Sequence, residues 1–439
     1  MVHSMSLLDT QSEDDKYLLS FLERTFFRGF KENIENFNSV EYFIGKNCNL
    51  NCKYCYLAKY GNYLHPQKEN PREISLNAQK LTDFLASLNF RGRIEIFSGE
   101  PLIKEHTFDI INYILDSLTH AIVVIPTNMT FLFDEKMTDN VIDLLKSRRV
   151  FLSASVDGKY MQNVNRPHKA GLIFDDEMWE RLFAFAKRWD IGFHPMIYSH
   201  NIEKWRDNFL WFIQKFEEYR MDPFSSLYLL EVRNPEWSRE QCRELKNFME
   251  FLAKYTYQRL AKGDYNNLVD IIFEKKGFNI LSSPFTTVGR GLGCSIQAAL
   301  TVRVADLSIV PCHRLAYKQF IAGFFMSDNE KIVGIKAHNP YLYSAIVGTS
   351  QHAFPYCERC ILNGICAGGC LGAQYEYFGD PFIPIPSVCM MEHAKYLGIF
   401  NGFKDVGALD YILAKTNAIK KLKIKNFLEV MNDGSKRYF

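Results

Sequence analysis

Cysteine placement constrains this chain more than any other feature of its sequence. Ten of the eleven cysteines fall into two groups, and one, Cys242, stands alone in a helical pattern. The first group is Cys48, Cys52 and Cys55, and the second is Cys294, Cys312, Cys357, Cys360, Cys366, Cys370 and Cys389. Patterned cysteines in a reducing compartment are more often metal ligands than disulfide partners, whereas a lone helical cysteine is usually a small buried apolar residue. We therefore expect two cysteine-rich metal-binding regions and a structural role for Cys242.

Composition and charge restrict the class of protein. The chain has 439 residues, of which 47% are hydrophobic and 23% are charged, which indicates a globular protein of two or three domains. Its net charge of +2 comes from 52 basic and 50 acidic residues, so no nucleic-acid partner is expected. The N-terminal stretch is acidic and lacks the apolar core of a signal peptide, and no uncharged apolar run reaches the roughly 18 residues of a membrane span. The sequence predicts a soluble, cytoplasmic protein without a membrane partner.

Strand and helix patterns alternate along the first two thirds of the chain. Apolar, β-branched or aromatic runs predict six buried strands, at 39–45, 93–99, 121–127, 150–158, 191–198 and 226–232. Helical patterns lie between them, and the plainest places an apolar stripe on Trp205, Phe209, Phe212 and Phe216. This alternation predicts right-handed βαβ units and an α/β fold with a parallel sheet, curved into a partial or full barrel.

The first cysteine group follows the first predicted strand directly. Cys48 comes three residues after the end of the run 39–45, and chemistry in such folds gathers at the carboxyl ends of the strands. Three thiolates in one loop leave a tetrahedral zinc site without its fourth ligand, unless a histidine from elsewhere completes it. The same three thiolates can instead hold an iron-sulfur cluster with one open iron.

The spacing C-x3-C-x2-C, with Tyr54 before the last cysteine, resembles the signature of the radical S-adenosylmethionine enzymes. The resemblance implies that Cys48, Cys52 and Cys55 hold a radical-generating 4Fe-4S cluster whose open iron binds S-adenosyl-L-methionine. After the second predicted strand, Ser98, Gly99, Glu100 and Pro101 resemble the glycine-glutamate-proline motif of that family, which receives the amino group of the methionine moiety. Ser98 replaces the usual first glycine, and Gly99 keeps the close backbone approach that a glycine allows.

Further cofactor contacts are implied after the third and fourth predicted strands. Asn128 stands at a position that the family often uses near the cofactor. Ser155 and Asp157 resemble the polar pair that meets the ribose or the carboxylate, and Arg166 is a candidate partner for the methionine carboxylate. Each of these residues alone has an ordinary interpretation as a turn or cap residue. Their order after successive strands favours the cofactor interpretation.

The second cysteine group resembles the SPASM extension of the same family. The segment "CERCILNGICAGGC" has the spacing C-x2-C-x5-C-x3-C, and Cys389 follows nineteen residues later. The resemblance implies two auxiliary 4Fe-4S clusters, one held by Cys357, Cys360, Cys366 and Cys389 and the other by Cys294, Cys312 and Cys370, with its fourth ligand unassigned. A zinc ribbon is the alternative for the two short motifs taken separately. The implied fold is a partial (β/α)6 TIM-like barrel followed by a small cysteine-rich SPASM domain.

Two positions near Cys312 depart from the family pattern. Leu307 stands where the SPASM pattern usually has a glycine, so the turn is expected to differ there. His313 follows Cys312, whereas sulfatase-maturating relatives have an aspartate there that acts as a base. His313 is a candidate catalytic base, because its ordinary pKa is near neutrality, or a hydrogen-bond donor to cluster sulfur. Sulfatase maturation is therefore disfavoured.

Four segments are predicted along the chain: an N-terminal helical extension at 1–38, the radical S-adenosylmethionine barrel at 39–275, the SPASM domain at 276–392 and a helical tail at 393–439. Only 47 residues precede Cys48, and they predict one helix that leads into the first strand. We therefore expect no separate leader-peptide-binding domain in this part of the chain.

The resemblance implies an enzyme that cleaves S-adenosylmethionine reductively and abstracts a hydrogen atom from a residue of a ribosomally made peptide or protein. The product would be a crosslink, a thioether, an epimer or an oxidised residue. A dehydrogenase or epimerase of a small molecule is the first alternative, and a non-catalytic electron-transfer or zinc-stabilised binding protein is the second. The expected partners are the precursor peptide or protein and a flavodoxin- or ferredoxin-type reductant, with a separate leader-peptide-binding protein as one option.

Overall fold

Strands occur in both halves of the chain. The computed structural model describes residues 8–27, 39–59, 70–286, 295–351, 354–366 and 368–432. Within these ranges the strands are β1 (Ser39–Phe43), β2 (Arg93–Phe97), β3 (Ile122–Thr127), β4 (Val150–Ala154), β5 (Gly192–Phe193), β6 (Met196–Ile197), β7 (Leu230–Glu231), β8 (Ala299–Arg303), β9 (Ser308–Val310), β10 (Gly323–Ser327) and β11 (Ile332–Ala337).

Helices fill most of the sequence between these strands. In the described ranges they are α1 (Glu13–Leu22), α2 (Tyr56–Lys59), α3 (Pro71–Ser87), α4 (Glu105–Ser117), α5 (Glu135–Leu145), α6 (Gln162–Asn165), α7 (Asp176–Trp189), α8 (Trp205–Glu218), α9 (Pro223–Ser226), α10 (Arg239–Tyr255), α11 (Tyr265–Phe273), α12 (Ser283–Thr286), α13 (Pro340–Gly348), α14 (Pro355–Glu358), α15 (Leu371–Phe378), α16 (Pro386–Asp405), α17 (Leu409–Lys415) and α18 (Ala418–Asn432). None of these described helices is long and apolar enough to cross a membrane.

Residue contacts divide the chain into two units. Unit 1 comprises Met1–Ser155, Pro167–Leu172 and Cys294–Thr349, and unit 2 comprises Val156–Arg166, Ile173–Gly293 and Ser350–Phe439. The four segments predicted from the sequence remain predictions, and the contact-based units divide the chain at other positions.

The sheet of unit 1 has a parallel part and an antiparallel part. Its strands lie in the order β11, β10, β9, β8, β1, β2, β3, β4. β8 and β1 to β4 run parallel, as the register pairs Val40 with both Ile94 and Leu300 show, whereas β9, β10 and β11 add antiparallel strands beyond β8. The predicted α/β class with a parallel sheet is confirmed. The pairing of β8 with β1, across some 260 positions of sequence, was not anticipated.

The first four predicted strands are confirmed within a few residues of their predicted ends, because their apolar residues bury on the sheet. Tyr42 of β1 is fully buried and its hydroxyl lies 3.0 Å from that of Thr82 on α3. The turn between β8 and β9 places Leu307 at φ +56°, in the left-handed region that favours glycine. Leu307 thus adopts a backbone conformation that favours glycine, at the position where the family pattern usually has one, and the expected difference of this turn from the family's stays a prediction.

The last two predicted strands were largely wrong. The run 191–198 forms two strands of two residues each, because Pro195 has no N–H group to continue the ladder. Within the run 226–232, only Leu230–Glu231 is a strand. The run begins at the last residue of the short helix α9, which Asp222 caps and whose first turn contains Pro223.

Helix packing in unit 2 is tightest between α10 and α16. A Cβ atom on Gly402 would lie 2.7 Å from the carbonyl oxygen of Glu250, so only glycine lets the two helix backbones approach this closely. Cys242 of α10 is fully buried, in agreement with its predicted structural role. The apolar stripe predicted on α8 is buried as well. α16 begins before residue 393, and α17 and α18 follow it within the described residues.

Candidate metal and cofactor sites

The first cysteine group lies in the loop after β1, and a short segment of unit 1 holds this loop in place. Asn51 donates its backbone N–H to the Pro167 carbonyl (2.8 Å), and Lys169 donates its own to the Asn49 carbonyl (2.8 Å). The Lys169 ammonium also donates to the Cys48 carbonyl (2.8 Å). Cys48, Cys52 and Cys55 are all of intermediate exposure, and so is Tyr54 in the same loop.

The Cys48 sulfur faces two nitrogen donors. The Leu50 N–H lies 3.4 Å from it and the Asn128 amide nitrogen 3.8 Å. Burial raises the pKa of the Cys48 thiol to about 11, and the charges of Glu100 and Cys55 act in the same direction. A thiol in this environment is protonated near neutral pH unless a cation binds it.

The segment after β2 packs directly beneath the cysteine loop. Glu100 donates its N–H to the Asn47 carbonyl (2.9 Å), one residue before Cys48. A Cβ atom on Gly99 would lie 2.5 Å from the same carbonyl oxygen, so this position requires a glycine. Ser98, which replaces a family glycine, is buried and accepts a hydrogen bond from the Lys104 ammonium (2.9 Å). Pro101 is buried at the start of a short 3-10 turn.

Glu100 joins the ends of β2 and β3. One of its carboxylate oxygens accepts from the Thr127 hydroxyl (2.8 Å) and the Leu102 N–H (3.1 Å), and the other accepts from the Asn128 N–H (2.6 Å). Burial raises the pKa of Glu100 to about 7, although these hydrogen bonds and Lys104 oppose the rise. Its predicted contact with the methionine amino group stays a prediction.

The remaining predicted cofactor contacts are divided between the two units. Ser155, in unit 1, donates its N–H to the Thr127 carbonyl (2.7 Å). Asp157 and Arg166, in unit 2, form an ion pair with 3.0 Å between Nε and Oδ1, and both side chains are buried. The same carboxylate accepts the Met196 N–H (3.0 Å). The structure therefore pairs these two residues with each other, and their contacts with a cofactor stay predictions.

His313 lies in an aromatic and acidic surrounding within unit 1. Its Nδ1 atom is 2.9 Å and 3.0 Å from the two carboxylate oxygens of Glu41 on β1. Its ring stacks on Phe97, with centroids 3.8 Å apart, and on Tyr56 at 5.7 Å. Burial lowers the pKa of His313, but the charge and hydrogen bond of Glu41, together with Glu95, outweigh it and leave the pKa raised. Glu41 and Glu95 were not predicted as site residues. The available signal was a charged residue within each of two apolar strands.

The described members of the second cysteine group are divided between the two units. Cys357, Cys360 and Cys389 lie close enough that the charges of the first two, after burial, raise the pKa of Cys389, to about 12. Cys366 and Cys370 belong to the same unit, whereas Cys312 belongs to unit 1. Cys294 lies outside the described residues. The predicted division of these cysteines between two auxiliary clusters stays a prediction.

Cys366 borders a group of four charged residues, the charge cluster, which is Glu231, Arg233, Glu392 and Lys395. Lys395 Nζ lies 2.7 Å from Glu231 and 2.6 Å from Glu392. Arg233 lies 2.9 Å from Glu231 and 3.6 Å from Glu392. The Cys366 sulfur is 3.8 Å from Glu392. The charge cluster was not predicted from the sequence. The available signal was the three-residue spacing of Glu392 and Lys395 on an apolar helix.

The donor chemistry of both cysteine groups fits bound thiolates. The N–H two residues after a cysteine faces its sulfur three times: Leu50 to Cys48 (3.4 Å), Leu362 to Cys360 (3.4 Å) and Gly368 to Cys366 (3.1 Å). Such hydrogen bonds stabilise thiolates that ligate iron-sulfur clusters. No three His, Cys, Asp or Glu side chains in the described ranges meet closely enough to hold a single metal ion.

The sequence of this chain is similar to that of a curated protein over a short stretch. The chain matches no protein-family model. An uncharacterized protein of Methanocaldococcus jannaschii, MJ0907, is 30% identical over 127 residues, which are 28% of this chain and 40% of that protein. The match thus spans less than half of the curated relative.

Two solved structures share most of the chain's architecture. Native anSMEcpe with bound AdoMet has a TM-score of 0.56 at 15% identity, covering 84% of this chain and 98% of that one. Native anSMEcpe with bound AdoMet and Cp18Cys peptide has a TM-score of 0.56 at 15% identity, covering 84% and 99%. The chain has the fold of the anSMEcpe structures.

Proposed function

We propose that this chain is a radical S-adenosylmethionine enzyme of the SPASM type, which modifies a residue of a ribosomally made peptide or protein. One observation carries the proposal. The C-x3-C-x2-C loop follows β1 and packs on the Gly99–Glu100 segment after β2, in a fold shared with structures that bind AdoMet.

Cys48, Cys52 and Cys55 would hold a 4Fe-4S cluster with one open iron. Such a cluster, when bound, supplies the electron that cleaves S-adenosylmethionine to methionine and a 5′-deoxyadenosyl radical. The chain's own contribution is positioning. Gly99 lets the segment after β2 approach the Asn47 carbonyl, and Glu100 is held by three donors, two of them at the end of β3. This arrangement orients the loop and the carboxylate before any ligand arrives.

His313 is the proposed proton acceptor of unit 1. Because Nδ1 faces the Glu41 carboxylate, the Nδ1 proton stays on that side of the ring, and Nε2 is the atom left to accept a proton from a substrate. The stacked rings of Phe97 and Tyr56 hold the imidazole plane. Glu41 therefore fixes the tautomer that a base needs.

The second cysteine group is proposed to hold two auxiliary 4Fe-4S clusters, divided as the SPASM resemblance implies. These would accept the electron that a substrate radical loses on oxidation. A flavodoxin- or ferredoxin-type protein is the proposed reductant for the first cluster. The three N–H donors that face cysteine sulfurs support iron-sulfur ligation in both groups.

A peptide substrate is supported by the anSMEcpe structure with bound Cp18Cys peptide, which this chain resembles over 84% of its length. The leader of such a peptide is proposed to bind either this chain or a separate leader-peptide-binding protein. Product analysis by mass spectrometry, with the peptide encoded nearest to the gene, distinguishes a modified peptide from a modified small molecule.

Two cysteine variants test the roles of the two groups. Reconstituted Cys55→Ala should form no 5′-deoxyadenosine, because a cluster ligand is lost. Cys370→Ala should keep part of the cleavage activity and lose the peptide product. Full product yield from Cys370→Ala would contradict the role proposed for the second group, and cleavage by Cys55→Ala would contradict the role of the first.

A further inference from the structure

We propose that Asn49, Asn128 and Thr130 form a hydrogen-bonded ring, the amide ring, that positions Cys48 before a cluster is bound. The inference rests on the proposed function and assigns Asn128 a role of its own. Asn128 is a positioning residue in this proposal, and it acts through Cys48 and Asn49.

The ring closes through three side chains. The Asn49 amide nitrogen donates to the Thr130 hydroxyl (2.7 Å), and that hydroxyl donates to the Asn128 amide oxygen (2.6 Å). The Asn128 amide nitrogen completes the ring by donating to the Asn49 amide oxygen (2.9 Å). Each donor meets an acceptor, so turning either amide would set two nitrogens or two oxygens against each other.

The backbone fixes the direction of the ring. The Thr130 N–H donates to the Asn128 amide oxygen (3.0 Å), which assigns that atom as oxygen independently of the ring. Asn128 is itself held by its N–H bond to Glu100 (2.6 Å). Met129 has φ +64°, a left-handed conformation between the two ring residues, and it is fully buried. The turn is therefore built to present both flanking side chains to one residue of the cysteine loop.

The ring acts on the cysteine in two ways. Asn49 follows Cys48 directly, so anchoring its side chain restricts the backbone that carries the thiol. The Asn128 amide nitrogen has two hydrogens, and besides the bond to Asn49 it lies 3.8 Å from the Cys48 sulfur. Asn128 and Thr130 are each about 5% exposed or less, so water competes little for these bonds.

Hydrogen exchange of the iron-free, full-length chain tests the ring without any cluster. Thr130→Val keeps the side-chain shape but deletes two of the three ring bonds. Exchange of the amides in the peptide spanning residues 48–55 should become about 25-fold faster, because each of the two lost bonds contributes about a factor of five. Thr130→Ser restores the hydroxyl and should return the wild-type rate.

Asn77→Ala is the matched control. In the wild type, the Asn77 side-chain amide donates to the Val304 and Ala305 carbonyls (3.0 Å and 3.2 Å), elsewhere in unit 1. This variant should lose stability without faster exchange in the cysteine loop. Equal exchange in the wild type and Thr130→Val would overturn the proposal, and so would an equal increase in Asn77→Ala.

The reconstituted protein supplies a second readout. Asn128→Ala removes the amide donor beside Cys48, so the midpoint potential of the first cluster should become more negative, because N–H donors to sulfur favour the reduced form. An unchanged potential would contradict the part assigned to the sulfur contact. A chain that shows the exchange difference but cleaves no S-adenosylmethionine would refute the proposed function alone, whereas cleavage without the exchange difference would refute the ring alone.

Discussion

Glu100 in unit 1 and Glu231 in unit 2 are buried glutamates near the ends of parallel strands, and their pKa values shift in opposite directions. Burial raises the pKa of both carboxyl groups. At Glu100 the partners are N–H and hydroxyl donors, and the pKa stays raised, at about 7. At Glu231 the partners include Lys395 and Arg233, and their charges lower the pKa well below its ordinary value.

The two units therefore support their neighbouring cysteines, Cys48 and Cys366, by different interactions. Unit 1 fixes the Cys48 loop with many hydrogen bonds, each of which contributes modestly and is lost separately. Unit 2 sets buried ions beside Cys366, where removing one partner leaves another charge buried without compensation. We therefore expect graded effects of mutation in the first region and a large effect in the second.

Lys395→Met should have the largest effect. Lys395 is 2% exposed and pairs with both Glu231 and Glu392, so its loss should lower the free energy of unfolding by about 3–5 kcal/mol. Urea unfolding measures the change. Lys254→Met is the matched control, because its ion pair with Asp405 is exposed and should contribute less than about 1 kcal/mol. Equal effects of the two variants would remove the contrast between the regions.

Gly99→Ala tests the tightest contact of the cysteine loop. The new methyl group would lie closest to the Lys46 carbonyl oxygen and 2.5 Å from the Asn47 carbonyl oxygen, and these backbone atoms cannot yield as a flexible side chain can. The free energy of unfolding should fall by about 3 kcal/mol, measured by urea unfolding. Gly348→Ala, where a Cβ atom meets nothing within 4 Å, should cause no loss. A neutral Gly99→Ala variant would show that the loop has room for a side chain.

The pH dependence of stability tests the raised pKa of Glu100. The folded chain keeps a proton on Glu100 between pH 4.5 and about 7 that the unfolded chain releases, so this contribution to stability is lost as the pH rises through that window. Glu100→Gln cannot titrate, and the difference in unfolding free energy between it and the wild type should change by about 2 kcal/mol from pH 5 to pH 7. Parallel profiles would mean that the pKa of Glu100 is not raised.

Cys242→Ala should have the smallest effect. The side chain is fully buried on α10, and its removal should lower the unfolding free energy by about 1 kcal/mol. Iron content after reconstitution should equal that of the wild type, whereas Cys48→Ala should contain less iron. A loss of iron in Cys242→Ala would identify Cys242 as a cluster ligand and contradict its structural role.

The local features of the sequence predicted much of the fold. Period and composition indicated β1 to β4 and the α8 stripe, because the apolar residues that form each pattern are largely buried in the folded chain. The run 191–198 failed at Pro195, whose missing N–H interrupts pairing despite the apolar neighbours. The pairing of β8 with β1 depends on contacts far apart in sequence, which no local pattern encodes.

The candidate sites were predictable where short spacing encodes them. The cysteine motifs and Gly99 could be found because their residues are close in sequence. The amide ring could not, since Asn49 and Thr130 lie 81 positions apart in the sequence and meet only in the folded chain. The charge cluster likewise joins Glu231 to Lys395 across 164 positions.

The decisive measurement is the iron content of the wild-type chain together with its cleavage of S-adenosylmethionine. The chain is reconstituted without oxygen, its iron and zinc are counted, and 5′-deoxyadenosine is measured after addition of S-adenosylmethionine and a strong reductant. We expect about twelve iron atoms per chain, four for each of three clusters, and formation of 5′-deoxyadenosine. Zinc in place of iron, or S-adenosylmethionine that stays intact, would contradict it.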